Sequence, residues 1–142
     1  MPGEPGLFRM YEKMGYRRCC GIEERVVSAG DRPEPLHPAS PEEYEARRRE
    51  LLPPGGVVQD LETLRVLAIS CRLYAGEDSL LADAGDWLAE YLGDPARLPG
   101  FLRALGKERM AVRLPGNGRD FAMYLPLRDN APAPKHFGLA LD

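Results

Sequence analysis

Residues 79–92 read SLLADAGDWLAEYL, two short apolar runs on either side of Gly85. Runs of this length with Asp and Gly between them are typical of two antiparallel strands joined by a tight turn. The stretch therefore predicts a strand pair in the middle of the chain, and the segments on either side of it decide what packs on that pair.

The preceding segment predicts two helices. Ser40-Pro41-Glu42-Glu43 combines a capping serine, a proline suited to the first helical turn and a glutamate that completes a capping box. This helix is expected to run to about Leu52, where Pro53 and Pro54 stop it. A second helix is expected after Asp60, where leucines recur at helical spacing.

The following segment predicts a short helix and more strands. Residues 99–105 have helical character, and residues 109–114 and 121–127 are two strand candidates. The Gly116-Asn117-Gly118 turn between them predicts a tight hairpin, and residues 136–141 could close the sheet. Together these elements predict an α+β fold with a mainly antiparallel sheet.

The amino-terminal part predicts a helix over 7–14 and one or two strands over 16–27. Three prolines then fall between Gly30 and Pro38, which indicates an extended linker. We therefore divide the chain into a terminal helix–strand segment (1–30), a Pro-rich linker (31–39) and an α+β domain (40–142).

Composition excludes several classes of function. The 142 residues carry a net charge of −3, which argues against nucleic acid as a main partner.

No apolar run approaches the roughly 20 residues of a membrane helix, and the amino terminus does not resemble a secretory signal, so we expect a cytoplasmic protein without a membrane partner. Three cysteines and two histidines give neither a disulfide framework nor a metal site. Self-association into a homo-oligomer stays open.

Acidic and basic residues are separated along the second half. Residues 77–94 contain six acids and no Lys or Arg, and a basic stretch follows over 97–119. Two solvated faces that pair with each other explain this pattern. An acidic surface that attracts a cationic amine is the alternative.

Residues 8–17, FRMYEKMGYR, resemble a late segment of the GNAT N-acetyltransferases. In that family a helix with a Tyr-Glu-Lys-hydrophobic-Gly-aromatic run leads into a strand. The resemblance implies acetyl-CoA as co-substrate, an amine as acceptor and no metal, with Tyr11 as the general acid that protonates the leaving thiolate. The alternative is an amphipathic helix whose tyrosine packs in a core.

The element order after residue 80 is similar to the carboxyl region of two-part bacterial GNAT proteins. The resemblance makes residues 1–30 the end of a catalytic GNAT-like domain and residues 40–142 an accessory one. The family's phosphate loop has one match here, RLPGNG, so Arg113, Gly116 and Gly118 are candidate cofactor-binding residues. An Asn-Gly hairpin turn explains the same glycines without a ligand.

The resulting hypothesis is part of an acetyl-CoA-dependent N-acetyltransferase whose isolated chain lacks a full acetyl-CoA site. The alternative is a non-catalytic α+β module that binds a ligand or a partner. His136 begins the last apolar segment and is expected to be an exposed histidine at a strand end.

Overall fold

The computed structural model describes residues 5–116 and 118–136. The helices are α1 (Pro5–Lys13), α2 (Pro41–Leu51), α3 (Leu61–Ser70) and α4 (Leu98–Ala104), with a 3₁₀ turn over Pro95–Arg97. The strands are β1 (Arg17–Ser28), β2 (His37–Pro38), β3 (Arg72–Ala75), β4 (Leu80–Asp83), β5 (Trp87–Leu92), β6 (Arg109–Pro115) and β7 (Arg119–Tyr124). None of the helices in these ranges is long and apolar enough to cross a membrane.

The strands form one sheet in the order β2-β3-β4-β5-β6-β1-β7. Neighbours pair antiparallel except for β5 and β6, which run parallel. The predicted α+β fold with a mainly antiparallel sheet is therefore confirmed. Residues 79–92 do form the antiparallel β4–β5 pair. The predicted closing strand over 136–141 lies outside the described residues apart from His136.

Strand β1 lies between β6 and the edge strand β7. It pairs with β6 from Ile22 to Ser28 and with β7 from Arg17 to Ile22. The predicted hairpin of β6 with β7 is therefore wrong: the chain crosses the β1 strand instead of turning back directly. The Asn-Gly signal is local and cannot reveal that a third strand separates the two. The division of the chain at 31–39 stays a prediction, although β1 shares a sheet with strands of the later segment.

Helices cover both faces of the sheet. On one face, α2 and α3 bury Tyr44, Leu64 and Leu67 against β3, β4 and β5. On the other face, α4 buries Phe101 and Leu102 against β4, β5 and β6. Both faces of β4 and β5 are thus covered, which explains why these two strands are apolar almost throughout.

The two long helices begin where the sequence predicts. The Ser40 hydroxyl accepts a hydrogen bond from the Glu43 amide at 3.1 Å, and the Asp60 carboxylate accepts one from the Thr63 amide at 2.8 Å. Each satisfies an amide of the first turn that has no partner within the helix. These caps fix the start of α2, and therefore the place where its other end meets the sheet.

Candidate functional site

The parallel strands β5 and β6 part soon after they meet. Their ladder consists of Trp87 with Ala111 and Leu88 with Val112. On its other edge, β5 carries a bulge: Glu90 pairs with Ala82 but Leu88 pairs with Asp83, so Ala89 is an extra residue. A bulge bends its strand and increases the local twist. The bend explains why β5 leaves β6 beyond Leu88.

A cleft of about 370 Å³ opens where the strands part. Its walls come from the ends of β5 and β6, from β1 on the far side of β6, and from the chain at the end of α2. The lining residues are Glu23, Arg25, Leu51, Pro53, Tyr91, Leu92, Gly93, Pro95, Leu114 and Pro115. Because the β5–β6 ladder stops at Leu88, the facing backbone edges of these strand ends are open to a ligand that carries hydrogen-bonding groups.

The ionisable groups of the cleft are engaged with other groups. Arg25 Nε donates to Glu23 Oε1 at 2.7 Å, and this bond holds the pKa of Glu23 below its ordinary value. The Tyr91 hydroxyl donates to the Asp94 carbonyl, and burial raises the pKa of Tyr91. A raised pKa makes this phenol a weaker acid than a free one. The arrangement suits binding of an extended ligand better than it suits proton transfer.

A buried polar cluster lies beside the cleft, between α2 and β5. Arg48 Nε donates to Glu90 Oε1 at 2.9 Å, and Arg48 Nη2 donates to Glu90 Oε2 at 3.1 Å. The Tyr44 hydroxyl also donates to Oε1, at 3.0 Å. Burial alone would raise the pKa of Glu90. The side chains of His136, Arg48 and Tyr44 lower it by more, so that the pKa of Glu90 lies below its ordinary value. Glu90 is therefore a buried carboxylate in its charged form.

His136 faces this cluster, and the prediction that it is exposed is wrong. Its side chain is 11% exposed, and its Nε2 lies 3.9 Å from Glu90 Oε2, beyond hydrogen-bonding distance. The Val57 amide donates to the His136 carbonyl at 2.7 Å and the Lys135 amide donates to the Gly55 carbonyl at 2.8 Å, which pins the segment to the chain after α2. This long-range docking has no local sequence signal.

Sequence reasoning missed the cluster, although two signals were present. Tyr44 and Arg48 lie four residues apart on α2 and so share a helix face. Glu90 is a lone acid inside the apolar run of β5. A charge at such a position is expected to be buried with a partner, and an arginine is a suitable one.

Tyr11 lies away from the cleft. It ends up near the start of β1, where its ring packs edge-on against Tyr16 at a centroid distance of 5.3 Å. Arg17, the first residue of β1, precedes the cleft residue Glu23 by six positions, about 20 Å along an extended strand. The structure therefore does not bring Tyr11 together with the cleft, and its catalytic role stays a prediction.

The residues predicted for phosphate binding lie at the crossing from β6 to β7. The Arg113 guanidinium lies between the rings of Trp87 and Phe121, at 4.6 and 4.8 Å from their centroids. A Cβ on Gly118 would approach the Ile22 carbonyl oxygen to 2.9 Å, and one on Gly116 would approach the Glu23 side chain to 2.8 Å. Close approach to β1 thus explains both glycines.

This turn does not fit a pyrophosphate. It leads into strand β7 and not into a helix amino terminus, and the Gly116 amide already donates to the Gly21 carbonyl at 3.2 Å. A phosphate loop needs free amides and a helix dipole. Cofactor binding by Arg113, Gly116 and Gly118 stays a prediction without geometric support. Within 5–116 and 118–136, no group of three or more His, Cys, Asp or Glu side chains could hold a metal ion.

Comparisons with known proteins give one weak structural similarity. No family model matches the chain, and no curated protein matches it. Among solved structures, the chain is similar to a GCN5-related N-acetyltransferase from Sphaerobacter thermophilus, with a TM-score of 0.43 and 13% sequence identity. The match covers 87% of this chain and 54% of that one, so the chain spans about half of the solved structure. A similarity at this level does not assign the chain to a family.

Proposed function

We propose that this chain is part of an acetyl-CoA-dependent N-acetyltransferase of the GNAT type, in which the β5–β6 cleft takes the extended arm of the thioester. The parting of the two parallel strands carries the proposal. It leaves open backbone edges beside a cavity lined mainly by apolar residues, and an arm that contains amide groups can bond to both edges. The resemblance of residues 8–17 to a GNAT segment supports the reaction class.

In this reaction a neutral amine nitrogen attacks the thioester carbonyl and loses one proton as the amide forms, the carbon–sulfur bond breaks, and the departing thiolate takes a proton. Tyr11 is the proposed donor of that proton, because a phenol hydroxyl can pass a proton to a thiolate through a short hydrogen bond. Since Tyr11 is not among the residues that line the cleft, it would serve a site completed by other residues. A cytoplasmic location and an amine acceptor belong to the same proposal.

Titration of the ¹⁵N-labelled chain with acetyl-CoA tests the cleft. We expect shifts at the amides of residues 89–93 and 113–114, with a dissociation constant weaker than about 0.1 mM because the turn over 113–118 does not fit the pyrophosphate. Pantetheine should move the same amides, and adenosine 3′,5′-bisphosphate, which lacks the arm, should not. Shifts confined to other residues would remove the cleft from the proposal. So would the absence of any shift when the ligand is above 1 mM and in 10-fold excess over the chain.

A non-catalytic binding module is the second candidate. One observation favours it: the acid–base groups that line the cleft, Glu23, Arg25 and Tyr91, are bonded to other protein groups. An assay for acetyl transfer to simple primary amines separates the two functions. Because the isolated chain is proposed to be only part of the enzyme, this assay uses an intact protein that contains the chain, and binding in the cleft without any turnover by that protein would favour the module.

A further inference from the structure

The Arg48–Glu90 pair is almost entirely removed from water. The two side chains are 3% and 2% exposed, and the arginine bonds the carboxylate through both Nε and Nη2. Its remaining nitrogen, Nη1, donates to the Val57 carbonyl at 2.9 Å. One guanidinium thus joins helix α2, strand β5 and the chain after α2.

These three segments include two walls of the cleft. Leu51 and Pro53 line it from the α2 side and follow Arg48 by three and five residues. On the other wall, residues 91–93 line it and follow Glu90 directly. The ion pair is therefore a polar link between α2 and β5 that lies within a few residues of both walls.

Stability alone does not account for a pair of this kind. Removing two charges from water is expensive, and well-packed apolar residues of similar volume often stabilise a protein as much or more. The forked contact of arginine with carboxylate fixes distance and direction, which apolar packing does less strictly. A fixed geometry is what a ligand cleft between a helix end and a bent strand requires.

We propose that Arg48 and Glu90 are positioning residues that hold the α2 wall at a set distance from β5 and so determine the width of the cleft. The proposal rests on the proposed function only in taking the cleft as the ligand site. It assigns neither residue a contact with the ligand.

Arg48→Lys is the test variant, since it keeps the charge and loses the fork. Arg49→Lys is the matched control: it is the next residue of α2, and its partner Glu45 forms an exposed helix pair with it. Acetyl-CoA titration at the amides of 89–93 should show binding between about fivefold and a hundredfold weaker for Arg48→Lys. The control should stay within about twofold of the parent chain.

Amide hydrogen exchange gives a readout that needs no ligand. In a folded Arg48→Lys chain, exchange should become faster at 50–52 and 89–93 while β3 and β7 keep their protection. Faster exchange throughout the sheet, or no change near the cleft, would overturn the positioning role. If the parent chain shows no acetyl-CoA shifts, the proposed function fails, and hydrogen exchange alone decides whether the pair sets the cleft.

Discussion

Removal of β1 tests whether the later segment is a domain by itself. A chain that begins at Asp31 lacks α1 and β1, and it exposes β6 and β7 along edges that β1 now occupies. In the structure, β1 pairs through seven residues with β6 and through five with β7. We expect the shortened chain to be unfolded, because the sheet then loses the strand that joins β7 to β6, and not an edge strand.

The magnitude follows from the ladder. An antiparallel ladder makes about one backbone hydrogen bond per residue pair, and each bond contributes about 0.5–1.5 kcal/mol net. The twelve pairs together contribute on the order of 10 kcal/mol. Burial of Ile22 adds about 2 kcal/mol. The loss is comparable to the 5–15 kcal/mol that stabilises a typical domain.

Urea unfolding followed by circular dichroism measures the effect, with amide shift dispersion as a second probe. A chain that begins at Gly15 is the matched control: it loses α1 but retains β1, and it should still unfold cooperatively. A synthetic peptide of residues 15–30 should restore structure to the chain that begins at Asp31. If that chain folds cooperatively without the peptide, β1 is dispensable and the division at 31–39 marks a true domain boundary.

Three further expectations concern catalysis, the linker and acid stability. In an intact acetyltransferase that contains this segment, Tyr11→Phe should lower turnover by about 10²–10⁴-fold with little change in acetyl-CoA affinity, and unchanged turnover in a stable variant would exclude the general acid. Limited proteolysis should cut first within 31–38, and protection there with earlier cleavage at 116–118 would contradict the linker. The pKa of Glu90 is lower in the folded chain than the roughly 4.3 of an unfolded glutamate. The contribution of this carboxylate to the free energy of unfolding is therefore complete at neutral pH and is lost as the pH falls below about 4.3. Acid titration should therefore show a steeper loss of stability for the parent chain than for an Arg48→Met, Glu90→Leu double variant. An equal dependence of the free energy of unfolding on pH in the two chains would mean that Glu90 does not control stability at acid pH.

The elements that depend on neighbouring residues could be predicted from the sequence. Ser40 and Asp60 cap their helices as expected, because a capping side chain bonds to an amide three residues away. The β4–β5 pair follows from two apolar runs and the glycine between them. In each case the pattern that is read and the bond that forms lie within a few residues of each other.

The order of the strands could not be predicted in this way. That β1 separates β6 from β7 depends on pairing between residues about 90 positions apart, and no turn residue records it. The docking of His136 beside Glu90 also joins residues that are far apart in sequence. The cleft itself escaped prediction because it arises from the ends of segments that are far apart in the chain.

One extra residue in β5 accounts for both the cleft and the buried ion pair. In a regular strand, Leu88 and Glu90 would point to the same face of the sheet. Because Ala89 is the extra residue, Leu88 packs on the α4 side while Glu90 turns to Arg48 on the α2 side. The same bulge lies where the β5–β6 ladder ends, so it accounts for the bend that opens the cleft. It also directs the Glu90 carboxylate toward Arg48, which links α2 to β5 beside the cleft. The cleft and its proposed positioning pair are therefore two consequences of a single local irregularity.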